Sequence, residues 1–249
     1  MTEKFIGYFR LVEACERAGC PVCWCLVEDG RRQLDALTHE MVTDVHTRRR
    51  LRAAWGLCNW HTWTLPTLGT AVTGSAIVYE DLLRVAAQHV DALHDRRPSP
   101  FSRFFGRLNP FRPERTTGAR PRLVARYRAR ARCPICLTGR DAEARYVDTI
   151  LDYIEDPEFL RAYARSSGLC VPHAVQAVDR RPGTSSLRRL LDETIEKWAD
   201  LRRHLTAFVR KHEYRNTEPI SEAETAAWTT ALEMVAGARG VFGNDRHDG

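Results

Sequence analysis

A pattern of seven matched letters occurs twice in this chain and restricts its fold more than any other feature. Cys20-Pro21-Val22-Cys23 is followed by Gly56-Leu57-Cys58-Asn59-Trp60-His61, and Cys133-Pro134-Ile135-Cys136 by Gly168-Leu169-Cys170-Val171-Pro172-His173. Both copies read C-P-x-C, a spacer, then G-L-C-x-x-H. Cys23 lies 35 positions before Cys58, and Cys136 lies 34 before Cys170. Two side chains three residues apart on a starting helical turn share one side of it. Each half-motif is therefore a two-toothed clamp, and two clamps complete a tetrahedron of three thiols and one imidazole. A helix N-terminus also favours the thiolate, the form that binds metal.

The similarity extends beyond the cysteines. At an offset of 113, Arg32, Leu34, Asp35 and Leu37 fall on Arg145, Val147, Asp148 and Ile150. At 112, Asp44 falls on Asp156, Gly56-Leu57 on Gly168-Leu169, Glu80-Asp81 on Asp192-Glu193 and Leu93 on Leu205. Self-similarity of this length marks two copies of one supersecondary unit rather than a solenoid.

Helical signals fill both copies. Phe5, Tyr8, Phe9, Val12 and Cys15 recur at helical spacing before Gly19. Proline after Cys20 suits a first helical turn, where its missing N–H has no partner to lose. That helix is expected to reach Thr43, with Leu26, Leu34, Leu37 and Met41 as its stripe. Asp44 is placed to cap a helix over 45–55, and Gly56 to end it. A longer helix is expected over 75–93. In the second copy, helices are expected over 137–154, over 158–166 behind the Asp156-Pro157 start signal, and over 185–212 after the Pro182-Gly183 turn. Ser221 with Glu224 forms a capping-box pattern for a last helix, with Trp228, Leu232 and Val235 as its apolar face. No alternating apolar run supports a sheet. The expected class is all-α: two pseudo-repeated helical units, each with a Cys3His site. The segments are a first repeat over 1–94, an Arg/Pro/Phe-rich linker over 95–121, a second repeat over 122–215, and a C-terminal helix and tail over 216–249.

Cys3His is a structural zinc set. Two Zn2+ ions per chain are expected, on Cys20, Cys23, Cys58 and His61 and on Cys133, Cys136, Cys170 and His173. Pairing within each copy is favoured because it closes the shorter loop, and a swapped pairing is the alternative. The same cysteines would serve an iron–sulfur cluster or a thiol-exchange dithiol. A dithiol oxidoreductase, however, does not need C-x-x-H twice, and a catalytic zinc needs an open position that a full set does not leave. A binding protein is expected rather than an enzyme. Cys15 and Cys25 lack counterparts and read as packed thiols. Trp60 and Trp63 read as core and shielding beside His61. Glu80 and Asp192 lie at matched places and read first as a solvated helix face, with acceptance from the histidines' second ring nitrogens as the alternative.

Charge gives the rest. The net charge is +6, and 12 arginines against one acid, Glu114, stand between Arg96 and Arg132. Phenylalanines are interleaved there, so Arg103, Arg107, Arg112, Arg126, Arg128 and Arg130 are candidate contacts to RNA, DNA or an acidic protein. No apolar run is long enough to span a membrane, and no secretory signal is evident, so a cytoplasmic, reducing setting is expected. The doubled motif, with Asp156-Pro157-Glu158-Phe159 and Trp228, resembles an uncharacterised bacterial family of unknown function. The resemblance implies a bacterial cytoplasmic protein with two Cys/His sites, and no activity.

Overall fold

The computed structural model describes residues 4–94, 124–125 and 127–243. Its described residues contain ten α-helices and no strand: α1 Ile6–Cys15, α2 Pro21–His39, α3 Val45–Ala54, α4 Asn59–Thr64, α5 Val72–His94, α6 Pro134–Tyr153, α7 Pro157–Arg165, α8 Val171–Arg180, α9 Ser185–Lys211 and α10 Glu222–Ala236. A 3-10 turn, Leu65–Leu68, follows α4. The class is all-α. None of the described helices is long and apolar enough to cross a membrane.

The helix boundaries are set by local chemistry. Asp44 accepts a bond from the Thr47 N–H at 2.6 Å, and Asp156 accepts from Glu158 and Phe159 at 3.1 and 3.0 Å. Each thereby satisfies amides that a helix start leaves unpaired. Pro21, Pro134 and Pro157 each stand at the first position of a helix. Gly56 has φ 100°, and its N–H caps Leu51 C=O at 2.8 Å, which closes α3. Ser221 and Glu224 form the expected reciprocal capping box.

Packing divides the chain into two compact units, Met1–Arg31 with Leu137–Gly249, and Arg32–Cys136. These units cut across the segment limits read from the sequence, and their boundaries fall inside α2 and α6. The first unit has a core built on Tyr8, Leu11, Ile150, Ile154, Phe159, Tyr163, Leu169 and Leu190. The second is smaller, built on Leu34, Leu37, Leu51, Leu65, Val78 and Ile135.

Three local expectations are corrected. Helix α2 stops at His39, so Met41 lies beyond it and is exposed. Phe5 and Phe9 are exposed, whereas Tyr8, Leu11 and Cys15 carry the buried face of α1. Trp228, Leu232 and Val235 are exposed on α10, and the core-facing residues are Glu224, Ala227 and Met234. An acid can occupy that face because Lys211 Nζ holds both Glu224 carboxylate oxygens, at 2.8 and 2.9 Å. Burial of a paired charge thus overrode the apolar pattern.

In the second unit, buried Asp81 on α5 accepts two bonds from Arg52, both 2.7 Å, and one from Arg84. Arg52 chiefly, against the effect of burial, lowers its pKa from 3.8 to about 2. A carboxylate depressed on folding stabilises the fold above its unfolded pKa, and that contribution disappears as pH falls through the folded value. Asp81→Asn is therefore expected to lower stability by about 1–2 kcal/mol at pH 7, after allowance for solvent screening of the arginines. The deficit should close towards pH 2. Denaturant midpoints of both proteins across pH check this, and changes common to both cancel.

Candidate metal centres

The eight motif residues gather into two groups, each with all four donor atoms within 4.8 Å of one another. One consists of Cys20, Cys23, Cys170 and His173, the other of Cys58, His61, Cys133 and Cys136. Each joins the C-P-x-C of one copy to the C-x-x-H of the other, and each lies within one compact unit. The expected pairing within each copy is corrected to the swapped one. Loop-closure entropy favours the short loop only if the spacer is flexible, and here it is not. Helix α2 has 19 residues and carries the chain about 28 Å from Cys20, whereas α3 has 10 and returns about 15 Å at most. The shorter α3 does not by itself retrace the length of α2.

Hydrogen bonds hold the half-motifs in register. In the first unit, Gly19 N–H, just before Cys20, donates to Ser167 Oγ at 3.2 Å. In the second, Ala131 N–H, just before Cys133, donates to Ala53 C=O at 2.9 Å. Both bonds tie the chain ahead of C-P-x-C to residues shortly ahead of G-L-C. Leu169 is fixed further: its N–H donates to Tyr163 OH at 3.1 Å, and its C=O accepts from Trp198 Nε1 at 2.9 Å.

In the first cage His173 turns Nδ1 inward, 3.1 Å from Cys170 Sγ, 3.4 Å from Cys20 and 3.5 Å from Cys23. Cys23 and Cys170 sulfurs stand 3.7 Å apart. In the second, His61 Nδ1 lies 3.1 Å from Cys58, 3.4 Å from Cys136 and 3.7 Å from Cys133, and Cys58 and Cys136 sulfurs are 3.6 Å apart. Bonds of about 2.3 Å to sulfur and about 2.0 Å to nitrogen give a tetrahedron with edges of about 3.8 Å between sulfurs and about 3.5 Å from sulfur to nitrogen. The Cys23–Cys170 and Cys58–Cys136 separations are close to the sulfur–sulfur edge, the nitrogen–sulfur separations run from 3.1 to 3.7 Å around theirs, and all donors of a cage lie within 4.8 Å of one another. All eight cysteines are free thiols, too far apart for disulfides.

The electrostatics are compatible with a cation. Burial pushes the Cys20 thiol up, but hydrogen bonds from Cys170, Cys23 and His173 carry it well below the ordinary range. Cys170, Cys20 and burial push Cys23 up instead. In the second cage Cys136, Cys58 and His61 lower Cys133, and Cys133 and Cys58 raise Cys136. Burial works against the charge on His61, but the Cys133 and Cys58 sulfurs raise it to about 9. Within each C-P-x-C pair one thiolate blocks ionisation of the other. A dication at the centre removes that conflict by charge.

The other residues singled out in the sequence divide clearly. Cys15 and Cys25 belong to neither cage; both are buried, which raises their thiols to about 12. Trp63 is 68% exposed and so is not a core residue, whereas Trp60 is half-buried. Glu80 and Asp192 are exposed. The acceptor for a ring nitrogen is instead Glu143, whose Oε1 lies 3.1 Å from His173 Nε2. Arg103, Arg107, Arg112 and Arg126 lie outside the described residues. Arg128 is exposed, and Arg130 bonds Tyr127 C=O at 3.0 Å with its guanidinium 4.1 Å from that ring's centre.

No curated protein and no solved structure matches this chain. A family model matches it over residues 3–238. The chain belongs to that family, described as a family of unknown function (DUF6062).

Proposed function

We propose that this is a metal-stabilised helical binding protein, duplicated internally, which holds one zinc ion in each Cys3His cage as a closed structural site. The observation that carries this is the convergence of four donors in each cage, all within 4.8 Å of one another, with each histidine Nδ1 3.1–3.7 Å from its three sulfurs. They suit one four-coordinate ion. An iron–sulfur cluster interposes its own iron and sulfide atoms and would spread its ligands further apart. Zinc suits the mixed sulfur–nitrogen set. Four protein donors leave no open position for a substrate, which favours binding over catalysis. The duplication is supported by the matched half-motifs and the matched starts of α2 with α6 and α4 with α8. The basic segment, in this reading, meets nucleic acid or an acidic protein, on sequence charge alone, in a reducing cytoplasm.

Elemental analysis of protein purified without oxygen tests the metal. Two zinc ions per chain are expected. Iron with acid-labile sulfide, or no metal at all, would overturn the reading.

A further inference from the structure

The two cages have the same ligands and different surroundings. Cys20, Cys23, Cys170 and His173 are at most 2% exposed. In the second cage Cys133 is buried as well, but Cys58 and Cys136 are only half-buried. The residues after α10 close the first cage: Ala238 N–H donates to Cys23 Sγ at 3.3 Å, and the Phe242 ring lies 5.1 Å from that of His173. In the second cage, the backbone donor to sulfur is local, His61 N–H to Cys58 at 3.5 Å. Glu143 binds the outer nitrogen of His173, and among the described residues no carboxylate does the same for His61. The sequence carries that asymmetry: Glu143 stands seven residues after Cys136, and Gly30 seven after Cys23.

We propose that the Cys20–Cys23–Cys170–His173 cage keeps its ion, that the Cys58–His61–Cys133–Cys136 cage exchanges a soft divalent ion with outside ligands, and that Glu143 is a positioning residue for the first cage. The inference rests on the metal reading above. An attacking chelator displaces protein ligands one at a time and must reach the ion to begin. The half-buried thiolates of the second cage admit it; the first presents no such edge. A carboxylate on a ligand histidine fixes ring orientation and raises basicity, and its loss typically weakens a site about 10–100-fold. His173 has that support from Glu143.

The test uses the full chain loaded with two zinc ions and 4-(2-pyridylazo)resorcinol as the acceptor. Release is expected in two phases of one equivalent each. N-ethylmaleimide added during the fast phase, read by mass spectrometry, should label Cys58, Cys133 and Cys136 before Cys20, Cys23 and Cys170. Glu143→Ala should speed the slow phase about 10–100-fold and leave the fast phase unchanged. Glu143→Gln, which keeps an acceptor without the charge, should fall between. Release of both equivalents in one phase, labelling in the reverse order, or a slow phase indifferent to Glu143→Ala would overturn the proposal while leaving the zinc reading intact. Protein that carries no metal would instead defeat the zinc reading, and this inference with it.

Discussion

A fragment spanning residues 1–94 will hold no tightly bound zinc, although it contains Cys20, Cys23, Cys58 and His61, a full set of three thiols and one imidazole. The first two belong to one cage and the last two to the other, so the fragment carries two half-sites and no whole one. A structural zinc contributes about 10–16 kcal/mol of apparent binding free energy, and most of that depends on all four ligands converging. The expected loss is thus several orders of magnitude in affinity, together with much of the helical signal. The complementary fragment 122–249 should fail in the same way. Mixed in equal amounts with zinc, the two should restore two ions per pair and the circular dichroism of the intact chain. A single fragment 1–94 binding one zinc as tightly as the whole protein would show that the swapped cages are wrong.

What this experiment probes is also where the sequence stopped being informative. The ligand residues were legible because C-P-x-C and G-L-C-x-x-H each occur twice, and a helical turn brings positions three apart together. Their partners were not, because sequence separation ranks loops as if the chain were flexible. The ranking no longer holds once Pro21–His39 and Val45–Ala54 are rods of unequal length. Glu143 was illegible for a different reason. It is one of 32 acids, on an ordinary helix face, and what distinguishes it is the contrast with Gly30 rather than any motif. The exposed stripe on α10 and the buried Glu224 show the remaining gap, since an ion pair with Lys211 can turn a helix against its own apolar pattern. Helix starts, by contrast, were well specified by Asp44, Asp156 and Ser221, whose side chains act on amides only two or three residues away.

Pairs of ligand substitutions should reveal the cage membership without cutting the chain. Cys20→Ser is expected to lose one zinc per chain, because serine is a poor replacement for a thiolate ligand. Adding Cys170→Ser should lose no further metal and little further stability, since the two sulfurs serve the same ion and share one penalty. Adding Cys58→Ser instead should remove the second zinc and lower stability again. Substitutions within one network are strongly non-additive, whereas separate sites add to within a few tenths of a kcal/mol. Pairing within each copy predicts the opposite pattern: Cys20 and Cys58 would share an ion, and Cys20 and Cys170 would not. Zinc content and denaturant midpoints of three singles and two doubles thus decide between the arrangements. The buried cage should show the larger midpoint shift, because removing one thiolate there leaves its three partners without access to water.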